Sequence, residues 1–162
     1  MNVRKCFYAC VASVMLAGSF TSCGDDIETP DIPVNPEGQP KEISGFYILN
    51  RGSNGENNSS IHFYDYATSQ LSADIYQKVN NSSLGESAQQ MLIYGSKIYV
   101  AVTFSNRLAV LDMDGKLLKT IEPEEGGNTM NPRCLAADGG KVYMTYFNGH
   151  AVAALDTVSL EI

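Results

Sequence analysis

Residue types that could perform catalysis or hold a metal are sparse in this chain and poorly spaced for either task. His62 lies in an alternating stretch and His150 in a predicted hairpin loop, and neither has a Cys, a Ser or a second His at a useful spacing. The segment Asp112-Met113-Asp114-Gly115 is similar to the start of a calcium loop, but the third acidic ligand and the closing Glu are missing. A turn aspartate before a tight hairpin is the better interpretation. The sequence therefore predicts no catalytic residue, no metal site and no cofactor.

The acidic segment Glu124-Glu125-Gly126-Gly127 is the remaining candidate for a cation or phosphate loop. It has no following Lys-Ser or Lys-Thr pair, and it does not join a strand to a helix. We therefore expect a solvated connection between structural units.

Binding is better supported, because amide, arginine and aromatic side chains occur in the predicted loops without being repeated. Amides and guanidinium groups can hydrogen-bond phosphate, amide or hydroxyl groups of a ligand, and a phenyl ring can stack on it. The predicted ligand-binding residues are Asn50, Arg51, Gln89, Phe104, Asn106, Asn131, Arg133, Asn148 and His150. The alternative is that these residues only keep the loops soluble.

A duplicated block determines where these loops lie. The segment Lys97-Ile98-Tyr99-Val100, followed by Leu108-Ala109-Val110-Leu111-Asp112, recurs 44 residues later as Lys141-Val142-Tyr143-Met144 and Val152-Ala153-Ala154-Leu155-Asp156. A weaker copy precedes them at Phe46–Asn50 and Ile61–Asp65. A period of roughly 40–50 residues that carries several short strands is typical of a β-propeller blade.

The predicted fold is all-β, with propeller blades of four antiparallel strands. The predicted strands are Phe46–Asn50, Ile61–Tyr66, Leu71–Tyr76, Gln90–Tyr94, Lys97–Thr103, Arg107–Asp112, Leu117–Ile121, Arg133–Ala137, Lys141–Tyr146 and Ala151–Leu155. No convincing helix is predicted. About two and a half blades are present, whereas propellers close with about four to eight, so we expect the N-terminal part of a longer protein or a truncated gene product.

Two further expectations concern packing. Tyr47, Tyr64, Tyr99 and Tyr143 are interpreted as equivalent positions that pack between blades. Cys134 stands alone on a predicted strand and is interpreted as a buried free thiol.

The first residues indicate export. Residues 1–22 contain basic Arg4 and Lys5, an apolar stretch and small residues before a cysteine, which is typical of a secretory signal. Phe20-Thr21-Ser22-Cys23 resembles the lipobox of bacterial lipoproteins, with Phe20 in place of the usual Leu, so Cys23 is the predicted lipidation site. Ordinary signal-peptidase cleavage is the alternative.

Residues 23–43 are interpreted as an acidic, proline-rich tether that could extend at about 3.1 Å per residue. The tether is either a plain solvated linker or a signal for transport to the cell surface.

The formal net charge of the whole chain is −7, and no basic cluster is present, which argues against nucleic acid as a partner. The predicted domain begins at residue 44 and extends to residue 162.

The residues between the repeats carry a family resemblance. Leu49-Asn50-Arg51-Gly52, Asn57-Asn58-Ser59-Ser60-Ile61 and Leu84-Gly85-Glu86-Ser87-Ala88-Gln89-Gln90-Met91 closely resemble YncE-like β-propeller lipoproteins of Bacteroidetes, grouped as DUF5074. The resemblance runs from about Phe46 to Leu160. Arg51 departs from it, since the family usually has an acidic residue there.

The resemblance implies a seven-bladed propeller on the outer membrane, related to the cobalamin-binding BtuG proteins. It suggests capture of a corrinoid for a TonB-dependent transporter, without an enzymatic step. Asp156-Thr157-Val158 also matches the short pattern at which Bacteroidetes attach O-glycans, which makes Thr157 a predicted modification site. The alternatives are a structural or adhesive surface protein that binds a glycan or another protein, and a propeller enzyme such as a lyase or a quinone-dependent dehydrogenase. The enzyme would need paired acids, metal-binding histidines or a Trp-stacked cofactor, and the chain has no Trp.

Overall fold

The computed structural model describes residues 43–162, which form one compact unit. The predicted signal segment, the Cys23 lipidation site and residues 23–42 of the predicted tether lie outside the described residues. None of the helices within residues 43–162 is long and apolar enough to cross a membrane.

Three antiparallel sheets follow one another along the chain. The first has β1 (Gly45–Asn50), β2 (Ser60–Asp65) and β3 (Gln70–Leu71). The second has β4 (Ala88–Tyr94), β5 (Lys97–Val102), β6 (Arg107–Asp112) and β7 (Leu117–Ile121). The third has β10 (Pro132–Asp138), β11 (Lys141–Tyr146) and β12 (Val152–Asp156). Within each sheet the strands keep their sequence order, which is the up-and-down order of propeller blades. The predicted all-β fold is confirmed.

The register of the central hairpin is the same in all three sheets. Gly45 pairs with Asp65, Lys97 with Asp112, and Lys141 with Asp156. Each aspartate then accepts backbone N–H groups of the following turn, for instance from Asp114 and Lys116 onto Asp112. The repeated aspartate is therefore a turn residue, as the sequence predicted in place of a calcium loop.

The second sheet is buried on both faces, which explains why its strands are apolar without alternation. On one face, Ile98, Val100 and Leu111 pack against Ile61 of the first sheet. The other face packs against the third sheet through a second cluster that contains Tyr99, Leu108, Val110, Val142, Met144 and Leu155. Every one of these side chains is fully buried.

The predicted strand Leu71–Tyr76 is wrong beyond its first residue. β3 ends at Leu71, and a short helix, α1, spans Ile75–Asn80. Asp74 caps this helix by accepting the backbone N–H groups of Tyr76 and Gln77. Tyr76 turns into the first core cluster, so tertiary packing stabilises a helix too short to show a period.

Two small elements complete the fold. A 3-10 turn spans Thr103–Ser105 between β5 and β6. The predicted connection at Glu124-Glu125-Gly126-Gly127 is a hairpin of β8 (Glu124–Glu125) and β9 (Asn128–Thr129), which joins the second sheet to the third.

Two packing predictions need correction. Tyr47, Tyr99 and Tyr143 do occupy equivalent positions, but Tyr64 lies on β2 at the position of Leu111 and stacks on the exposed ring of Phe46. Only Tyr99 is fully buried, and Tyr143 is 38% exposed.

Cys134 is a free thiol, but it is exposed and not buried. One repeat earlier the same position is Gln90, whose side-chain amide hydrogen-bonds the backbone N–H and C=O of Leu135 in the next sheet. Cys134 therefore stands on the face of the third sheet that has no neighbouring sheet among residues 43–162.

Candidate functional site

All nine predicted binding residues lie at one edge of the three sheets, which we call the loop edge. β1, β5 and β11 end there, and β2, β6 and β12 begin there after a short loop. β4 and β10 also begin there. The strand directions imposed by the repeat bring residues far apart in sequence to this common edge.

Four of the nine line one cleft, which we call the Arg–Phe cleft. It has a volume of about 370 Å³ and is lined by Arg51, Gln89, Thr103, Phe104, Arg133 and Phe147. Residues from all three sheets contribute to it. No carboxylate is among the lining side chains.

β-Bulges place two of the cleft residues. The pairing of β4 with β5 shifts between Ala88 and Gln90, and the pairing of β10 with β11 shifts between Pro132 and Leu135. Gln89 and Arg133 lie within these shifts, at equivalent positions of successive repeats. A bulge breaks the regular alternation and redirects a side chain, which is a common device beside binding sites.

Two aromatic rings form the apolar part of the cleft. Phe104 and Phe147 meet edge to face with centroids 5.9 Å apart, and about half of each side chain remains exposed. The guanidinium carbon of Arg133 lies 5.6 Å from the centroid of the Phe147 ring, which places the cation over its face.

Ser87 organises the polar part of the cleft. This buried serine has a left-handed backbone, with φ of 64°, and its hydroxyl oxygen accepts hydrogen bonds from Arg51 Nε and Gln89 Nε2 at 2.9 and 3.0 Å. Backbone strain of this kind is retained where the surroundings determine the conformation, and such positions cluster at functional sites.

The segment Leu84–Ala88 holds the loop that carries Arg51. Ser59 donates its hydroxyl to the backbone carbonyl of Arg51 and accepts the N–H of Ala88. Glu86 accepts the N–H groups of Gly55 and Asn57 at 2.8 and 2.7 Å. These two backbone donors, with a smaller effect of the Arg51 charge, lower the pKa of the Glu86 carboxyl.

The same segment holds the 3-10 turn that carries Phe104. The backbone carbonyls of Ser87 and Glu86 accept the N–H groups of Thr103 and Phe104. Thr103 donates its buried hydroxyl to the carbonyl of Pro132, which fixes the start of β10 beside the cleft. The Arg–Phe cleft is therefore preorganised by hydrogen bonds that cross all three sheets.

The other five predicted binding residues lie outside the cleft. Asn106 is buried, and its side-chain oxygen accepts the backbone N–H of Asn131 at 2.8 Å. Asn50 hydrogen-bonds Ser60 across the β1–β2 hairpin. Asn148 donates to the carbonyl of Thr129, and His150 is exposed in the loop before β12.

Phe147 and Thr103 are cleft residues that the sequence interpretation missed. Phe147 is a loop aromatic without an equivalent in the other copies, so the rule that selected Phe104 also applies to it. Thr103 offered no signal, because its role depends on the neighbouring sheet. The predicted glycosylation residue, Thr157, lies half-buried at the opposite edge, where its hydroxyl donates to the carbonyl of Gly140.

Among residues 43–162, no three His, Cys, Asp or Glu side chains are grouped closely enough to hold a metal ion. The arrangement on the loop edge is suited to binding, because its donors and rings converge on a cavity of ligand size.

Comparison with known proteins identifies a family. No curated protein is similar enough to be matched. Residues 44–161 match a family described as "Domain of unknown function (DUF5074)", which agrees with the family named from the sequence. Since the match covers well over half of the chain, the protein belongs to the DUF5074 family.

Proposed function

We propose that this protein is a non-enzymatic, surface-exposed lipoprotein that captures a small molecule in the Arg–Phe cleft. In this proposal it is a YncE-like propeller of the Bacteroidetes, related to the BtuG proteins. Its ligand is a corrinoid such as cobalamin, which it presents to a TonB-dependent transporter of the outer membrane. Lipid on Cys23 anchors it, and the acidic tether places the blades away from the membrane.

The observation that supports the proposal is the convergence of Arg51, Gln89, Phe104 and Arg133 on one cavity. Their donors and rings suit a ligand that has both polar groups and a planar part. A cavity of about 370 Å³ is small for a whole corrinoid. It would therefore hold one portion, such as the nucleotide loop with its phosphate and base.

Calorimetric titration of the full chain with cyanocobalamin tests ligand capture. We expect binding that Phe147→Ala weakens, because this ring forms one wall of the cleft. Phe46→Ala is the matched control, since Phe46 is similarly exposed but lies on the outer face of the first sheet. Equal loss in both variants, or no corrinoid binding by the unmodified chain, contradicts the proposal.

Protease treatment of intact cells tests the location separately. A protein displayed on the outer surface should be degraded while a periplasmic marker survives, and Cys23→Ala should leave the membrane fraction. Protection of the blades from protease would count against surface display.

A glycan ligand is the second candidate, and one observation favours it. A polar pocket of about 270 Å³ lies beside the first sheet and is lined only by polar residues, namely Asn57, Asn58, Ser59, Ser60, His62, Asp74, Gln77 and Ser83. Such a lining suits the hydroxyl groups of a sugar. Retention on a glycan array that is lost in Gln77→Ala but kept in Phe147→Ala would favour this candidate.

A further inference from the structure

The charge of the Arg–Phe cleft is opposite to that of the molecule. The chain has a formal net charge of −7, yet two of the three arginines among residues 43–162, Arg51 and Arg133, line this one cavity. The third, Arg107, is directed elsewhere and donates to the carbonyl of Leu84. A local positive site in an acidic protein concentrates anions at that site.

Both cleft arginines keep donors available. Arg51 uses Nε for Ser87, and no partner of its two terminal nitrogens occurs within residues 43–162. The Arg133 side chain makes no hydrogen bond or ion pair within the same residues, and its guanidinium lies over the Phe147 ring. Guanidinium groups with free terminal nitrogens bind a carboxylate or a phosphate through paired hydrogen bonds.

Glu86, whose carboxyl is affected by the Arg51 charge, does not occupy these donors. Glu86 is hydrogen-bonded to the backbone of Gly55 and Asn57, at 2.8 and 2.7 Å, and does not line the cleft. Within residues 43–162, the two arginines therefore have no carboxylate partner that a ligand would need to displace.

The rings add a second requirement. Phe104 and Phe147 are 48% and 52% exposed, although they lie in a concave site. Because their mutual contact is edge to face, part of their apolar surface remains open to a flat group.

We propose that the Arg–Phe cleft selects an organic anion, whose carboxylate or phosphate group is held by Arg51 and Arg133 while an attached planar ring packs on Phe104 and Phe147. This inference rests on the proposed function, since it names the ligand class of the same cleft. It adds a requirement for charge that capture of a small molecule does not by itself impose.

Three probes separate the two parts of the ligand: phenyl phosphate, inorganic phosphate and benzyl alcohol. In calorimetric or NMR titrations of the full chain, phenyl phosphate should bind at least about tenfold more tightly than either of the others, because only phenyl phosphate engages both arginines and rings. Its affinity should fall as salt is raised. Equal affinities of phenyl phosphate and benzyl alcohol, or no binding of phenyl phosphate at millimolar concentrations, would overturn the proposal.

Two variants test whether the positive charge that binds the anion lies in the Arg–Phe cleft. Arg133→Gln should weaken phenyl phosphate binding about tenfold or more, since it removes a charged donor. Lys116→Gln makes the same change in net charge at the opposite edge, in the turn after β6, and should leave the affinity unchanged. Thermal unfolding of each variant checks that the fold is intact.

The two proposals fail in distinguishable ways. If Phe147→Ala abolishes cyanocobalamin binding while Arg133→Gln retains the affinities for both cyanocobalamin and phenyl phosphate, capture in the cleft stands and the anion requirement falls. If phenyl phosphate binds as expected but no corrinoid does, the ligand class stands and the corrinoid assignment falls.

Discussion

Two tyrosines at equivalent positions of successive repeats differ in the hydrogen bonding of their hydroxyl groups. Tyr47 donates its hydroxyl to the backbone carbonyl of Met113 at 2.6 Å. Tyr99 has a fully buried side chain, and its hydroxyl finds no hydrogen-bond partner among residues 43–162. Burial raises the pKa of both phenols above the usual value of 10.0, at which they are already protonated at neutral pH.

Removal of the two hydroxyls should therefore have unequal effects. Tyr47→Phe leaves the Met113 carbonyl without its donor and should lower the free energy of unfolding by about 1 kcal/mol. Tyr99→Phe removes a polar group that is already unpaired, so stability should be unchanged or raised. Urea denaturation of the two variants measures the difference, and a larger loss in Tyr99→Phe would contradict this assignment of hydrogen bonds.

The turn aspartate Asp156 makes stability depend on pH. The Asp156 carboxylate accepts the N–H groups of Ser159 and Val158 and the hydroxyl of Ser159, which lowers its pKa below the usual value of 3.8. Because the folded pKa lies below the unfolded one, this carboxylate stabilises the fold above the unfolded pKa. That contribution is lost as the pH falls through the folded pKa.

Asp156→Asn should reduce this pH dependence, since an amide oxygen can still accept in the turn but does not titrate. We expect the unmodified chain to lose more stability than the variant between about pH 6 and pH 3, as measured by urea denaturation. Asp138→Asn is the control, because the exposed Asp138 carboxylate accepts no hydrogen bond within residues 43–162. An equal effect of both variants would exclude the turn as the cause.

At the scale of elements, the segment Leu84–Ala88 connects the parts of the loop edge. It hydrogen-bonds the β1–β2 loop on one side and the 3-10 turn on the other. Gly85 makes this possible, since its φ is +132° and a Cβ there would lie 2.6 Å from Ser105 Oγ and 2.8 Å from Val102 Cγ1. The position requires glycine for backbone conformation and for space.

Gly85→Ala should displace this segment and weaken both the fold and the Arg–Phe cleft. We expect a loss of about 1–3 kcal/mol from the strained backbone alone, with a further cost from the contacts. Gly95→Ala is the matched control, because its φ is also positive but nothing lies within 4 Å of the new Cβ. Thermal unfolding and probe titration together measure the result, and similar losses in the two variants would argue against a role for the close contacts.

The observed strands also show which structural features can be predicted from the sequence. The strands Arg107–Asp112, Leu117–Ile121 and Lys141–Tyr146 agree with the structure at both ends. The first and the last of these belong to the duplicated block, whose recurrence reinforces their pattern. The β8–β9 hairpin was missed although Gly126-Gly127 is a turn signal, since its strands have only two residues each. The common edge of the nine candidates followed from strand order. The convergence of four of them in one cleft depends on bulges and on contacts between sheets, which no local pattern encodes.

At the scale of the whole molecule, the second sheet couples the other two. Its β5 and β6 are paired on both sides within the sheet, and their side chains pack against the first sheet on one face and the third on the other. Neighbouring repeats often act as weakly linked units whose stabilities add. Unfolding of the second sheet would disrupt both core clusters at once. We therefore expect the three sheets to unfold as one cooperative unit.

Leu111→Ala tests this coupling, since Leu111 is fully buried in the cluster between the first and second sheets. The variant should lower global stability by about 2–5 kcal/mol. Amide hydrogen exchange should show the same loss of protection in β5, β6 and β11, although β11 belongs to the other cluster. Leu118→Ala is the control. Leu118 lies on β7 and is 46% exposed, so this variant should change amide exchange little. If β11 keeps its protection in Leu111→Ala, the third sheet unfolds independently, and the preorganisation of the Arg–Phe cleft across three sheets would have to come from local hydrogen bonds alone.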